Sequence, residues 1–180
     1  MTSRRTRLFV ILNPGISWVH SMGELRATLE KQASSFHFTA RTGRGATVQI
    51  DDPSSHADGK GHGASPMELL LVAVGGCSAI DIVSILEKGR HVVDALDIDV
   101  RGEKPDDAVP SLFQKIHIRY GFRGNVPVDR ARRAIELSIG TYCSVAHTLM
   151  PTAQITWDFT IDGKIFGPVN TAPGFTGEPR

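Results

Sequence analysis

The strongest constraint on this chain is a run without charge, Leu69 to Ile80, inside a segment with helix signals at both ends. Ser65 is a good N-cap, Pro66 suits the first helical position, and Glu68 stands at N3. Ser65 and Glu68 therefore form a capping box, each side chain accepting from the other's backbone N–H. At the far end Lys88, Gly89 and Arg90 supply a stop signal and positive charge near the negative helix end. The spacing predicts one helix from Ser65-Pro66 to Lys88. Its middle, LLLVAVGGCSAI, is apolar on every face, and such a helix is buried on all sides. The uncharged run has twelve residues, whereas a membrane span needs about 20. It reads as a core helix, with no membrane as partner.

A chain of 180 residues is one domain's worth and can bury a core without a disulfide or metal. Lys plus Arg number 20 against 19 Asp plus Glu, a formal charge of +1. No basic excess points to nucleic acid or to an anionic membrane surface. Two cysteines exclude a disulfide-stapled scaffold and a four-cysteine zinc site.

Residues 1–22 read as a flexible extension or as a start taken too early, with Met22 the true beginning. Leu8 to Leu12 is too short for the apolar core of a signal peptide. Gly23–Lys31, Ser35–Arg41 and Ala46–Ile50 read as three short strands, and Asp51–Ala64 as a loop. Beyond the first helix, Asp94–Glu103 and Ser111–Phe122 alternate as the two strands of a hairpin. Pro127–Leu149 reads as a second long helix, with Ala131, Ile135, Ser138, Tyr142, Val145 and Leu149 on one face. Ile155, Trp157, Phe159 and Ile161 alternate in a final strand. Residues 163–180, rich in Gly and Pro, read as an irregular tail, leaving 23–162 as a single domain. The order β-β-β-α-β-β-α-β favours α+β over a doubly wound sheet.

Each predicted long helix carries one cysteine, Cys77 and Cys143. Two buried helices in a small domain must pack on each other, so the thiols can meet. They could equally be inert core residues, as free cysteines usually are. Gly75-Gly76 before Cys77 permits either a tight crossing or room for a substrate. A reactive thiol needs a nearby cation or helix N-terminus. Arg44, in the Gly43-Arg44-Gly45 turn, is a candidate cation, as are Arg41 and Lys60. Asp81 shares the face of Cys77 at i+4 and could hold an arginine in place. The glycine loop Gly59–Gly63 is not a P-loop. The histidines show no ligand spacing, so a zinc site built from His56, His62 and a cysteine is not expected.

Ser65-Pro66-Met67-Glu68-Leu69-Leu70 leading to Gly75-Gly76-Cys77-Ser78-Ala79, together with Tyr142-Cys143-Ser144-Val145-Ala146, resembles the OsmC/Ohr family of osmotically induced and organic hydroperoxide resistance proteins. The resemblance covers about residues 24–162. It implies two long central helices wrapped by curved antiparallel sheets in an intertwined, cytoplasmic homodimer with its active sites at the subunit interface. It implies a thiol peroxidase acting on organic or fatty-acid hydroperoxides. Cys77 would be the peroxidatic thiolate and Cys143 the resolving thiol, assisted by Arg44 and Asp81. No bound cofactor or metal is implied, only an external dithiol reductant of the lipoyl type. The chain departs from the family pattern at Met67, where family peroxidases carry glutamate, and at Ser144, where they usually carry proline. Glu68 is no substitute, because nine residues at 100° place it opposite Cys77. The rival expectation is a dimeric small-molecule-binding protein without turnover, or a thiol redox sensor.

Overall fold

A computed structural model describes residues 23–33 and 36–169. The proposed extension 1–22, Ser35 and the end of the tail lie outside them. Helix α1 spans Pro66–Lys88. Its start is the expected capping box. The Glu68 N–H donates to Ser65 Oγ at 3.2 Å, and the Ser65 N–H donates to Glu68 Oε2 at 2.7 Å.

Strands β1 (Ala27–Lys31), β2 (Phe38–Thr42) and β3 (Thr47–Ile50) form an antiparallel sheet in sequence order. None of their residues is buried within this chain. The second sheet has the order β4 (Ala95–Glu103), β5 (Lys115–Arg123), β6 (Gln154–Ile161), β7 (Lys164–Val169). Alternation in β5 buries Ile116, Ile118, Tyr120 and Phe122, and β6 adds Ile155, Trp157 and Phe159. Val74, Ile82 and Leu86 of α1 join that core, as do Ala131, Ala134, Ile135 and Ile139. On the opposite face Arg119 grips Asp158 with two hydrogen bonds of 2.7 Å. That pairing, then a smaller charge contribution from His117, holds the Asp158 carboxyl below its ordinary range despite burial.

The mixed α+β architecture matches the expectation, with four corrections. First, the sheet is not wholly antiparallel. β5 and β6 run parallel, because a helical crossover rather than a hairpin joins them. Second, the tail is not irregular from residue 163. Asp162 and Gly163 both take positive φ, +47° and +81°, in a tight turn that leads into β7. An Asp-Gly pair at the two central positions is a strong hairpin signal. Third, the second helix is broken. It consists of α2 (Val128–Leu137), a π-helical turn (Ser138–Tyr142) and α3 (Ser144–Leu149). The wider turn shifts the phase of the apolar face, leaving Tyr142 55% exposed. Fourth, α1 is buried on one side only. Val72 is 66% and Ile80 73% exposed.

Candidate active site

Cys77 sits mid-way along α1, held there by regular helix on both sides. Gly75 and Gly76 before it have different roles. A Cβ at Gly75 would lie 3.1 Å from Val100 Cγ2, so this glycine lets α1 approach β4 closely. A Cβ at Gly76 would meet nothing within 4 Å, so space remains open beside the thiol. The close crossing expected of the pair is therefore seen at Gly75, while Gly76 borders open space.

Cys143 is placed by the break rather than by a continuous helix. Its backbone leaves the helical region (φ −70°, ψ 95°), and its N–H donates to the Ser138 carbonyl at 2.8 Å. It then becomes the N-cap of α3, with Sγ accepting from the Ala146 N–H at 3.4 Å. Its side chain is completely buried, whereas Cys77 is half-buried. Cys77 Sγ, Cys143 Sγ and an Asp81 carboxylate oxygen all lie within 4.8 Å of one another. Two cysteines 66 residues apart thus meet with Asp81, and both thiols are free.

Electrostatics separates the two sulfurs. Burial first, and then its hydrogen bond to Cys77, push the Cys143 thiol up to about 12, against a partial offset from the Ala146 N–H. Cys143 therefore stays protonated at neutral pH and donates toward Cys77. Asp81 is anchored by Ser138, whose Oγ donates to Oδ2 at 3.0 Å. Behind the sulfurs, Tyr120 donates to Ser78 Oγ at 2.9 Å, and Ser78 donates to the Gly75 carbonyl at 2.9 Å. Burial raises the Tyr120 phenol pKa, keeping it a donor.

Three of the four expected site residues, Cys77, Cys143 and Asp81, come together. Arg44 does not join them. It lies exposed in the β2–β3 turn, and among the described residues no ion pair joins it to Asp81. The expected arginine partner of Asp81 is replaced within this chain by the Ser138 hydroxyl. The sequence alone does not mark Ser78, Ser138 and Tyr120 as site residues. Their signal is faint, a serine beside Cys77 and a serine on the apolar face of the second helix. Met67 packs against the core, and the Glu68 carboxylate is spent on the capping box. Neither supplies an acid to Cys77. By donor type, the Cys77–Asp81–Cys143 set could also ligate a thiophilic metal ion.

Residues 59–158, which include the helical crossover and both cysteines, match the model of a family described as OsmC-like protein. The chain belongs to the OsmC-like family. Protein YhfA of Escherichia coli (strain K12) is 43% identical over 98 residues, 54% of this chain and 72% of that protein. The crystal structure of a hypothetical protein from Aquifex aeolicus VF5 superposes at a TM-score of 0.66 and 29% identity, covering 78% of this chain and 99% of the other. The organic hydroperoxide resistance protein OhrB of Bacillus subtilis superposes at a TM-score of 0.58 over 77% of this chain and 98% of its own. Its 11% identity establishes a common fold only.

Proposed function

We propose that this OsmC-like protein is a cysteine-based peroxidase that reduces organic hydroperoxides in the cytoplasm. One observation carries the reading: a half-buried Cys77 sulfur and a fully buried Cys143 sulfur lie within 4.8 Å of each other. The names of its structural relatives, organic hydroperoxide resistance proteins among them, support the substrate class.

The chemistry divides between the two sulfurs. The Cys77 thiolate attacks the distal oxygen of ROOH, the O–O bond breaks, and RO⁻ takes up a proton to leave as alcohol. Cys77 is now a sulfenic acid. The Cys143 sulfur attacks it, giving up its proton, and water departs as the disulfide forms. Asp81, beside both sulfurs and steadied by Ser138, is placed to receive the Cys143 proton and pass it to the leaving hydroxide. A disulfide bond is about 2.05 Å long, so side-chain rotation must close the remaining gap. An external dithiol of the lipoyl type then reduces the pair by exchange. Cys77 needs no bound cofactor for this cycle.

The alkyl part of the substrate has a surface to meet. Leu70 and Ile80 lie within about 60° of Cys77 around the helix, and both are exposed in the single chain. In an intertwined homodimer a second copy would cover much of that face. Arg44, from a sheet with no buried residue of its own, would then reach the partner's thiol.

The test is turnover of cumene hydroperoxide with dihydrolipoamide, using Cys77→Ser as control. We expect turnover that vanishes in Cys77→Ser and falls in Arg44→Ala. No turnover, with both thiols still titratable after excess peroxide, would sink the peroxidase and leave a binding protein on the same fold. A disulfide that forms but is not reduced by the dithiol would indicate a redox sensor.

A further inference from the structure

Outside the thiol site, the loop between β3 and α1 gathers a second set of chemistry-bearing side chains. We propose that Asp51, His56 and His62 form a binding site for a divalent transition-metal ion, zinc or a zinc-like metal. One ligand atom from each of the three lies within 4.8 Å of the others. The zinc site that the sequence disfavoured was one with a cysteine. The fold gives the two histidines a carboxylate instead.

Asp51 is the anchor. Its side chain is fully buried at the end of β3, an unusual place for a carboxylate. Oδ1 accepts from the Asp52 N–H at 2.8 Å, and Oδ2 accepts from the His62 N–H at 2.8 Å. These two backbone donors fix the carboxylate plane, the part an outer shell plays around a metal ligand. His56 Nε2 stands 3.0 Å from Oδ2, with its side chain 24% exposed. The His62 ring packs edge-on against His56, with ring centroids 5.3 Å apart. It also lies 5.0 Å from the ring of His37. His37 Nε2 is committed to Gln49 Oε1 at 2.7 Å, so His37 buttresses His62 rather than adding a ligand.

The loop is shaped around this cluster. Gly61 has φ +62°, and a Cβ there would sit 3.3 Å from Asp51 Oδ2 and 3.4 Å from His56 Cδ2. A side chain at that position would press directly on two of the three donors. At Gly63 a Cβ would overlap the Gln49 backbone, so only glycine lets the loop lie against β3. The Ala64 N–H then donates to the Gln49 carbonyl at 3.2 Å and the Asp51 N–H to the Ala64 carbonyl at 3.1 Å, closing the loop.

The donor set selects the ion. Two imidazoles and one carboxylate suit zinc, cobalt, nickel or iron(II), whereas calcium and magnesium want oxygen ligands throughout. Three protein ligands leave a coordination position open to water or an exchangeable ligand. Binding replaces the His56–Asp51 hydrogen bond by metal–ligand bonds and ties the loop before α1 to β3. Nothing in this proposal depends on Cys77 or Cys143.

The experiment titrates Co²⁺, then Zn²⁺ in competition, into the full chain prepared without an affinity tag. The background is Cys77→Ser/Cys143→Ser, so that the thiols cannot hold the metal. We expect one Co²⁺ per chain, a d–d spectrum without sulfur-to-cobalt charge transfer, and displacement by Zn²⁺. His56→Ala/His62→Ala should weaken binding by at least about a hundredfold, the upper range for losing even an outer-shell partner. His147→Ala, an exposed histidine on α3, should change nothing. Helical circular dichroism checks the fold of each variant. Should Asp51→Asn fail to fold, the histidine pair, which faces solvent more, still decides the question. Should the cysteine-free background fail to fold, the wild-type chain decides it by whether His56→Ala/His62→Ala removes a cobalt component free of sulfur charge transfer. Absence of saturable binding free of sulfur charge transfer, or such binding that survives His56→Ala/His62→Ala, would overturn the proposal.

Discussion

Cys77 and Cys143 occupy opposite kinds of helix. The first lies in 23 unbroken residues whose outer face is apolar and uncovered. The second lies at a break, extended in its own backbone, wholly buried and capped by a backbone N–H. An unbroken helix offers its side chain to whatever docks on its face. A break turns a side chain inward and fixes it there. The pair teaches that two neighbouring thiols can be asymmetric before any chemistry occurs: one sulfur is partly exposed, the other is buried and keeps its proton.

The sharpest way to break this comparison is to remove each sulfur. Cys77→Ser should bring peroxide turnover down to the level without protein. Cys143→Ser should instead consume about one equivalent of peroxide per chain and stop, leaving a sulfenic acid that a dimedone adduct reveals by mass. Equal loss without a dimedone adduct would abolish the distinction. The next test addresses the uncovered face. Ile80→Asp should convert a dimer to a monomer in sedimentation analysis, because it places a charge on the apolar side of α1. A wild-type chain that is already monomeric would mean that no second copy covers that face.

Alkylation compares the sulfurs directly. At pH 8 iodoacetamide should modify Cys77 first and leave Cys143 intact, as peptide mapping would show. The folded Cys143 thiol keeps its proton up to about 12, whereas an ordinary thiol loses it near 9. The native state therefore binds more protons than the unfolded chain between those values, and its stability falls as pH rises through that window. Cys143→Ala should flatten this alkaline loss in denaturant titrations.

A smaller contrast lies between the paired glycines. Gly76→Ala should stabilise the protein by about 1 kcal/mol, the helix propensity gained in open space. Gly75→Ala gains the same propensity but pushes against Val100, so its melting temperature should fall below that of Gly76→Ala. Of similar size, Ser138→Ala removes one hydrogen bond from Asp81 and should cost about 1 kcal/mol. Its peroxide rate should fall as well if Asp81 is the proton acceptor.

Much of this was legible in the chain. The capping box at Ser65 and Glu68, the alternation in β4 through β6, and the three N-terminal strands are local, so sequence pattern reports them. β7 was legible too. Asp162-Gly163 is a hairpin signal, and the glycines and prolines after it obscured that signal. The break at Ser138–Tyr142 was not legible. A π turn differs from an α turn by one residue, and the apolar residues on either side remain plausible in a continuous helix. The meeting of Asp51 with His56 and His62 was hidden for another reason. A loop with two glycines at positive φ can bring residues five and eleven apart together without any periodic spacing.

The sequence by itself determined the first helix, the strands β1 through β6, the family, and the presence of one thiol in each helical region. Capping, alternation and apolar runs act over a few residues, within reach of a linear reading. Only the tertiary structure decided that β5 and β6 run parallel, that one thiol is buried and the other available, and that Asp81 answers to Ser138 within the chain. Those outcomes depend on burial and on contacts between distant segments, which exist only once the chain has closed on itself.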